Sequence, residues 1–269
     1  MNLSTDYLGL RLRNPVVASA GPLSQTVEGI KSLADGGVGA VVMYSLFEEQ
    51  LRREAESVAA LEDLYDDSFA EALSYFPSVP QSTRDASHAY LKLVEDGARA
   101  IDVPLIASLN GASVGGWTQS ARRLADAGAA AVELNIYFVP GDITVSGREV
   151  EERHLEILSA VKSAVDIPVA VKLSPYFSSV GNMALQLDAA GADGLVLFNR
   201  WLQPDIDIET LAVVPGVELS HPSDGKLPRT WIATLRNQTT KSLALTSGVE
   251  TADDVIKDLL AGADVVMTT

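Results

Sequence analysis

The sequence has no cysteine and three histidines. The lack of cysteine excludes disulfides, thiolate nucleophiles, cysteine-ligated zinc and iron–sulfur clusters held by this chain. The histidines, His88, His154 and His221, are scattered along the sequence. We therefore expect no metal site.

Basic residues are also scarce, with 20 Lys and Arg against 36 Asp and Glu, a net charge of −16 and a pI near 4.5. A field of this sign repels phosphate backbones and anionic lipid, so we expect neither nucleic-acid nor membrane-surface binding. No apolar run approaches the roughly 20 residues of a membrane span, and the N-terminus lacks the pattern of a signal peptide. These absences predict a soluble, cytoplasmic protein.

A repeated unit organises the 269 residues. Four times, a helix-like stretch ends in a small-residue turn and runs into a short apolar strand. The copies are DGGVGAVVMYS from Asp35, DAGAAAVELNI from Asp126, AAGADGLVLFN from Ala189 and LAGADVVMTT from Leu260. Glycine after a helix favours a left-handed C-cap, and an apolar run without polar alternation is typical of a buried parallel strand.

Each copy is preceded by another such strand, and the four are NPVVASAG from Asn14, VPLIASL from Val103, IPVAVKL from Ile167 and SLALTSG from Ser242. Eight parallel strands with helical crossovers predict an α/β fold, a (β/α)8 TIM barrel, whose usual size is about 250 residues. An open doubly wound sheet needs a GxGxxG turn after its first strand, and Ala18–Pro22 does not supply one.

We expect one barrel domain over residues 1–269, with long excursions at 47–99 and 200–229 that leave the carboxyl ends of strands. The acidic run Leu61–Asp67 fits either a solvated helix face or a docking surface for a basic redox partner protein. The sequence stops at the eighth strand, so a final helix is missing from it or something else covers that seam.

Polar side chains gather at the predicted strand ends. Asn110, Asn135, Asn199 and Lys172 each follow a different strand. Amides both donate and accept hydrogen bonds, and a lysine favours negative charge on a ring, so this mouth suits a ligand rich in carbonyls and ring nitrogens.

The last two strands carry a phosphate signal. Ser247 and Gly248 precede a helix predicted to start near Thr251, and Thr268 and Thr269 end the neighbouring strand. Helix N-termini bind anions, and barrels often hold a phosphate after strands seven and eight. A glycine turn without phosphate is the alternative.

Several segments resemble the dihydroorotate dehydrogenases, a family of FMN-dependent barrels. They are LGLRLRNPVVASAGPLS, VPLIASLNGAS, VELN, IPVAVKLSPYF, LVLFNR and TSGVETADDVIKDLLAGADVVMTT, and they span nearly the whole chain. KLSPYF and ELN are the more specific pieces.

The resemblance implies a role for each strand-end residue. Lys172, Asn135 and Asn199 would contact flavin or substrate, with Asn110 also at the flavin. Ala20, Gly21 and Ser45 would line the flavin, and its phosphate would fall on Ser247, Gly248, Val249, Thr268 and Thr269.

Three positions depart from the family pattern. Tyr44 stands where the family has lysine, and Ser247 replaces the first glycine of a Gly-Gly turn. Phe138 stands where the family has its Cys or Ser base, whose replacement removes a factor of roughly 10²–10⁴ in rate. Tyr137 or Tyr44 could serve as acid or base, although tyrosine with a pKa of about 10 is a poor base.

Three functions follow as hypotheses. The first is an FMN oxidoreductase that acts on dihydroorotate or a related small cyclic substrate, with Lys172, Asn135 and Tyr137 as its catalytic residues. The second is a flavin-bearing accessory or electron-transfer subunit, and the third is an aldolase-like barrel in which Lys172 forms a Schiff base. The resemblance also implies a homodimer.

Overall fold

The computed structural model describes residues 2–47, 86–111, 117–136, 142–200, 204–215 and 219–269. The strands in these ranges are β1 (Thr5–Tyr7), β2 (Leu10–Leu12), β3 (Val16–Ala18), β4 (Ala40–Phe47), β5 (Leu105–Gly111), β6 (Ala131–Ile136), β7 (Val169–Leu173), β8 (Gly194–Leu197), β9 (Pro204–Asp207), β10 (Ala212–Pro215), β11 (Ser242–Thr246) and β12 (Val265–Thr268). The α-helices are α1 (Val27–Asp35), α2 (Ala86–Ala100), α3 (Trp117–Asp126), α4 (Gly147–Lys162), α5 (Val180–Ala189), α6 (Lys226–Leu235) and α7 (Ala252–Ala261).

Eight strands close into a parallel barrel in the order β11-β12-β3-β4-β5-β6-β7-β8. A helix follows each barrel strand from β3 to β11 along the chain. The predicted (β/α)8 barrel is therefore confirmed, and the carboxyl ends of all eight strands meet at one mouth.

The glycine turns of the repeat adopt the predicted conformation. Gly37, Gly128, Gly191 and Gly262 have φ values of +96°, +100°, +99° and +113°. This left-handed region is open to glycine at little cost, so each helix ends and the chain turns directly into the next buried strand.

The last part of the first long excursion, predicted at 47–99, is helix α2. The buried residues of this helix are interspersed with charged ones in the sequence: Tyr90 and Val94 are fully buried, and Gly97 packs against Ile30. The acidic run Leu61–Asp67 lies outside the described residues. The second excursion contains an antiparallel hairpin of β9 and β10, and α6 begins at Lys226 rather than near Arg229.

A short N-terminal hairpin, β1–β2, closes the amino-terminal end of the barrel. Tyr7, Leu8 and Leu12 are buried in one cluster with inward-facing residues of the barrel strands, among them Val196 and Val265. A second, larger apolar cluster fills the layer between the sheet and the helices. Apolar side chains thus fill the amino-terminal end of the barrel, and the polar side chains lie at the carboxyl-terminal end.

None of the helices in the described part of the chain combines the length and apolar character needed to cross a bilayer.

Candidate functional site

Three of the predicted polar residues form one row at the barrel mouth. Asn110 pairs in register with Asn135, and Asn135 with Lys172, on the adjacent strands β5, β6 and β7. Residues level with one another on parallel strands point to the same face of the sheet. All three side chains are buried. The sheet therefore places two amides and an ammonium side by side inside the barrel.

Asn199 joins this row from the loop after β8. Its Nδ2 donates to Oδ1 of Asn135 at 2.9 Å, and its backbone N–H donates to the carbonyl of Leu173 at 2.7 Å. The two bonds fix Asn199 against β6 and β7. The amide pair leaves the Asn135 Nδ2 group and the Asn199 Oδ1 atom to meet other partners, one donor and one acceptor.

Glu133 lies one layer deeper than the row. It is level with Ser108 of β5, its side chain is 1% exposed, and Lys172 Nζ lies 3.7 Å from its Oε1. Burial raises the pKa of Glu133, and the Lys172 ammonium opposes that rise. A carboxylate and an ammonium thus share the floor of the mouth.

A cavity of about 460 Å³ opens above this floor. Volumes of 300–1,000 Å³ are usual for small-molecule sites. The cavity is lined from four sides by Lys172 and Asn199, by Ala20, by Ser247 and Val249, and by Thr268 and Thr269. It therefore unites the row with the turns after β11 and β12.

The turn after β11 is held in a left-handed conformation. Ser247 and Gly248 have φ values of +83° and +73°, and Ser247 Oγ donates to the carbonyl of Phe198 at 3.2 Å. A Cβ on Gly248 would overlap the backbone N of Gly225 and lie 2.9 Å from the carbonyl oxygen of His221. Glycine is thus required at Gly248 both by its φ and by its neighbours.

Backbone donors around this turn divide into two groups. The Gly248 amide donates to Ser220 Oγ at 2.9 Å, and the amides of Glu250 and Thr251 donate to Asp254 Oδ2. The amides of Ser247, Val249 and Thr269 meet no acceptor among the described residues. The start of α7 is therefore capped by its own carboxylate, and the donors open to an anion lie in the turn itself and at the end of β12.

Ser19 and Ala20, after β3, are small residues that line the cavity. A Cβ on the next residue, Gly21, would lie only 2.7 Å from Cγ2 of Thr269, so the segments after β3 and β12 approach closely here. Ser45 lies deeper in the barrel, because its hydroxyl is hydrogen bonded to that of Ser108 at 2.9 Å, level with Glu133. The residues that line the cavity do not include five predicted site residues, Gly21, Ser45, Asn110, Asn135 and Gly248.

Tyr44 packs edge to face on Tyr90, with ring centroids 4.9 Å apart. Burial raises the pKa of its phenol above the ordinary value. Tyr44 is thus a hydrogen-bond donor at neutral pH and not a base. Tyr137 and Phe138 lie outside the described residues, so their predicted roles stay predictions.

Sequence reasoning missed two neighbours of the site. Glu133 was given no role, although a charged residue inside the apolar strand AVELNI is a signal for one. Ser220, which binds the Gly248 amide, carries no such signal, because its contact depends on the path of the long connection after β8.

Comparison with known proteins places this barrel in a family. The sequence model of the dihydroorotate dehydrogenase family matches residues 2–269. The chain belongs to that family.

Curated relatives in the family are identical to this chain at about a third of the aligned positions. The catalytic subunit of dihydroorotate dehydrogenase B (NAD(+)) from Listeria welshimeri is 34% identical over 171 residues, which cover 61% of this chain and 56% of the relative. The corresponding subunit from Methanothermobacter thermautotrophicus is 32% identical over 215 residues, 77% of this chain and 65% of the relative. The chain thus matches less than two thirds of either relative's length.

Proposed function

We propose that this family member is an FMN-dependent oxidoreductase that acts on dihydroorotate or a related small cyclic substrate. One observation carries the proposal: a single cavity is lined both by Lys172 and Asn199 and by Ser247 and Val249 of the turn after β11. A ligand with a polar ring and an anionic tail needs both groups of residues. Membership of the family and the names of the relatives support the same reading.

The turns after β11 and β12 fit the phosphate of FMN. The amides of Ser247, Val249 and Thr269 have no acceptor among the described residues. The Thr269 hydroxyl adjoins them, whereas the hydroxyls of Ser247 and Thr268 donate to the carbonyls of Phe198 and Val249. Such clusters of backbone N–H groups bind anions without a cationic side chain. Ser247, Val249, Thr268 and Thr269 would therefore hold the phosphate.

The row at the floor fits the flavin ring and the substrate. FMN, when bound, supplies a ring that accepts or donates hydride. The Lys172 ammonium would stabilise negative charge on such a ring, and the small side chain of Ala20 on the cavity wall leaves room for a flat group. Asn135 and Asn199 would orient the carbonyl and N–H groups of a small cyclic substrate.

Proton transfer is assigned to Tyr137 by this proposal. Tyr44 is excluded as the base, since burial raises the pKa of its phenol. A tyrosine near its ordinary pKa transfers protons slowly at neutral pH, so we expect a lower rate with dihydroorotate than a dedicated base would give. If dihydroorotate leaves the bound flavin oxidised, the result favours the second hypothesis, a flavin-bearing electron-transfer subunit.

A Schiff-base reaction at Lys172 has less support. The nucleophile in such chemistry is the neutral amine. Glu133 lies 3.7 Å from Lys172 Nζ, so the amine is engaged in an ion pair that an attack on a carbonyl would have to break. Trapping with borohydride and a carbonyl substrate would label Lys172 if this reading were correct.

The first test is the visible absorption spectrum of the purified protein before and after denaturation. We expect a flavin band with close to one FMN per chain, and bleaching of that band by dihydroorotate under anaerobic conditions. A colourless protein that does not bind added FMN contradicts the proposal.

Replacing Lys172 tests its part in the reaction. We expect Lys172→Ala to slow flavin reduction by substrate by at least about a hundredfold, the loss typical of one electrostatic group. Lys92→Ala, on the exposed face of α2, is the matched control and should reduce flavin at the parent rate. Full activity of Lys172→Ala in stopped-flow measurements would remove the lysine from the mechanism.

Pairing into a homodimer, a redox partner protein and a cytoplasmic location remain predictions. Sedimentation of the purified protein measures the first of them.

A further inference from the structure

Glu133 is a buried acid that the proposed mechanism does not use. Neither of its carboxylate oxygens has a hydrogen-bond partner among the described residues. The level neighbour on β5, Ser108, has its hydroxyl bonded to Ser45. A buried ionised group without partners is costly, so its compensation has to come from a nearby charge.

Lys172 is the cation that lies within ion-pair distance of Glu133 in the described part of the chain. Its side chain is 9% exposed, and that exposure faces the cavity. The other titratable groups near Glu133 are Tyr7 of the N-terminal hairpin and Tyr90 of α2, and burial raises the pKa of both phenols above the ordinary value. Neither phenol therefore adds charge, and among the described residues Lys172 is the group that balances the carboxylate.

We propose that Glu133 is a positioning residue for Lys172, holding its flexible side chain against the barrel floor. Lysine carries a compact charge on a four-carbon stem with many rotamers, so an ammonium in an open cavity is poorly fixed by itself. The carboxylate beneath it draws the amine to one point. The amine keeps its remaining N–H bonds for a ligand above, which is how this inference builds on the proposed function.

The test measures the reactivity of Lys172 in the purified chain without added flavin. Isocyanic acid, formed from potassium cyanate, carbamylates neutral amines and is small enough to enter a cavity of about 460 Å³. Mass spectrometry of the peptide that contains Lys172 gives the rate between pH 7 and pH 10. Glu133→Gln keeps the shape of the side chain and removes its charge.

We expect Glu133→Gln to speed carbamylation of Lys172 several-fold at pH 8, since removing the carboxylate 3.7 Å from Nζ releases the flexible side chain from the barrel floor into the cavity. Asp96→Asn is the matched control, because it removes the carboxylate 3.0 Å from Lys92 on the exposed face of α2. It should leave the Lys172 rate unchanged. A Lys172 rate in folded Glu133→Gln equal to that of the parent overturns the proposal.

A double-mutant cycle covers the case in which Glu133→Gln does not fold. Lys172→Met leaves the carboxylate buried without its cation, whereas Glu133→Gln with Lys172→Met leaves neither charge. We expect the double variant to unfold at a higher urea concentration than Lys172→Met alone. A double variant no more stable than Lys172→Met shows that the two groups are not coupled.

These outcomes are independent of flavin. A protein that binds no FMN but shows the change in Lys172 reactivity keeps the pairing and loses the proposed function. A protein that binds FMN but shows no change loses the pairing alone.

Discussion

Two neighbouring residues with positive φ, Ser247 and Gly248, shape the wall of the cavity opposite Lys172. A left-handed conformation costs an L-residue about 1–2 kcal/mol, and Ser247 bears that cost where the family has glycine. Its hydroxyl in return donates to the carbonyl of Phe198. The hydrogen bond of the serine hydroxyl thus offsets part of the cost of its left-handed backbone, and it connects the turn after β11 to the residue that follows β8.

Substitution of Gly248 separates the φ requirement from the steric one. Gly248 and Gly191 both have positive φ, but a Cβ at Gly191 meets nothing within 4 Å. We expect Gly191→Ala to cost about 1–2 kcal/mol of unfolding free energy. Gly248→Ala should cost about 1–3 kcal/mol more, because its Cβ overlaps Gly225. Urea denaturation measures both, and equal costs would show that the contact with Gly225 relaxes freely.

At the scale of elements, α4 is joined to the loop after β7 through His154. The ring is buried, its Nδ1 lies 2.7 Å from the Val150 carbonyl, and it packs edge to face on Phe177 of that loop. Burial lowers the pKa of His154 below its ordinary value of 6.5. The helix and the loop thus meet at a group whose charged form is disfavoured by folding.

The pH dependence of stability follows from that shift. A histidine with a lowered pKa in the folded state stabilises the fold above pH 6.5, and this contribution is lost as the pH falls through the folded value. We expect the urea midpoint of the parent to fall more steeply between pH 7.5 and pH 5 than that of His154→Gln. His88→Gln, at an exposed position on α2, should follow the parent curve. Parallel curves for the parent and His154→Gln would contradict the shift.

The elements that repeat in the sequence are those that could be predicted from it. Four glycine turns and eight apolar runs specify the barrel, because each turn and strand is determined locally. Helix α2 could not be separated from its loop, since Tyr90, Val94 and Gly97 are its few buried positions. The hairpin β1–β2 escaped prediction because strands of three residues are stabilised by distant contacts.

The residues of the candidate site could be predicted from the sequence, but their arrangement could not. Strand ends identified Asn110, Asn135, Lys172 and Asn199, but their level arrangement depends on the register between strands. The pairing of Lys172 with Glu133 likewise joins two strands and two layers. Neither the register between strands nor this ion pair can be inferred from which residues are neighbours in the sequence.

The whole molecule carries a net charge of −16, from 36 acidic and 20 basic residues. Its exposed ion pairs, such as Arg11–Asp6 and Lys92–Asp96, contribute little each. Repulsion among the excess carboxylates therefore dominates the surface electrostatics and opposes folding at low salt.

Salt is expected to stabilise this protein. Raising NaCl from about 10 mM to 150 mM shortens the Debye length from about 30 Å to 8 Å and screens the repulsion. We expect the unfolding temperature to rise by about 2–4 °C, which corresponds to about 1 kcal/mol for a chain of this size. KCl at equal ionic strength should give the same rise in differential scanning calorimetry. A fall with both salts would mean that attractive ion pairs outweigh the repulsion.

The hairpin at the closed end of the barrel has a consequence for how the chain is made. The Leu8 amide binds Ser242 Oγ, 234 residues later, and the Thr5 hydroxyl binds the carbonyl of Asp264, 259 residues later. A ribosome therefore delivers this hairpin more than 200 residues before its binding partners. Tyr7, Leu8 and Leu12 thus stay exposed to solvent and accessible to chaperones until strands β11 and β12 have been translated.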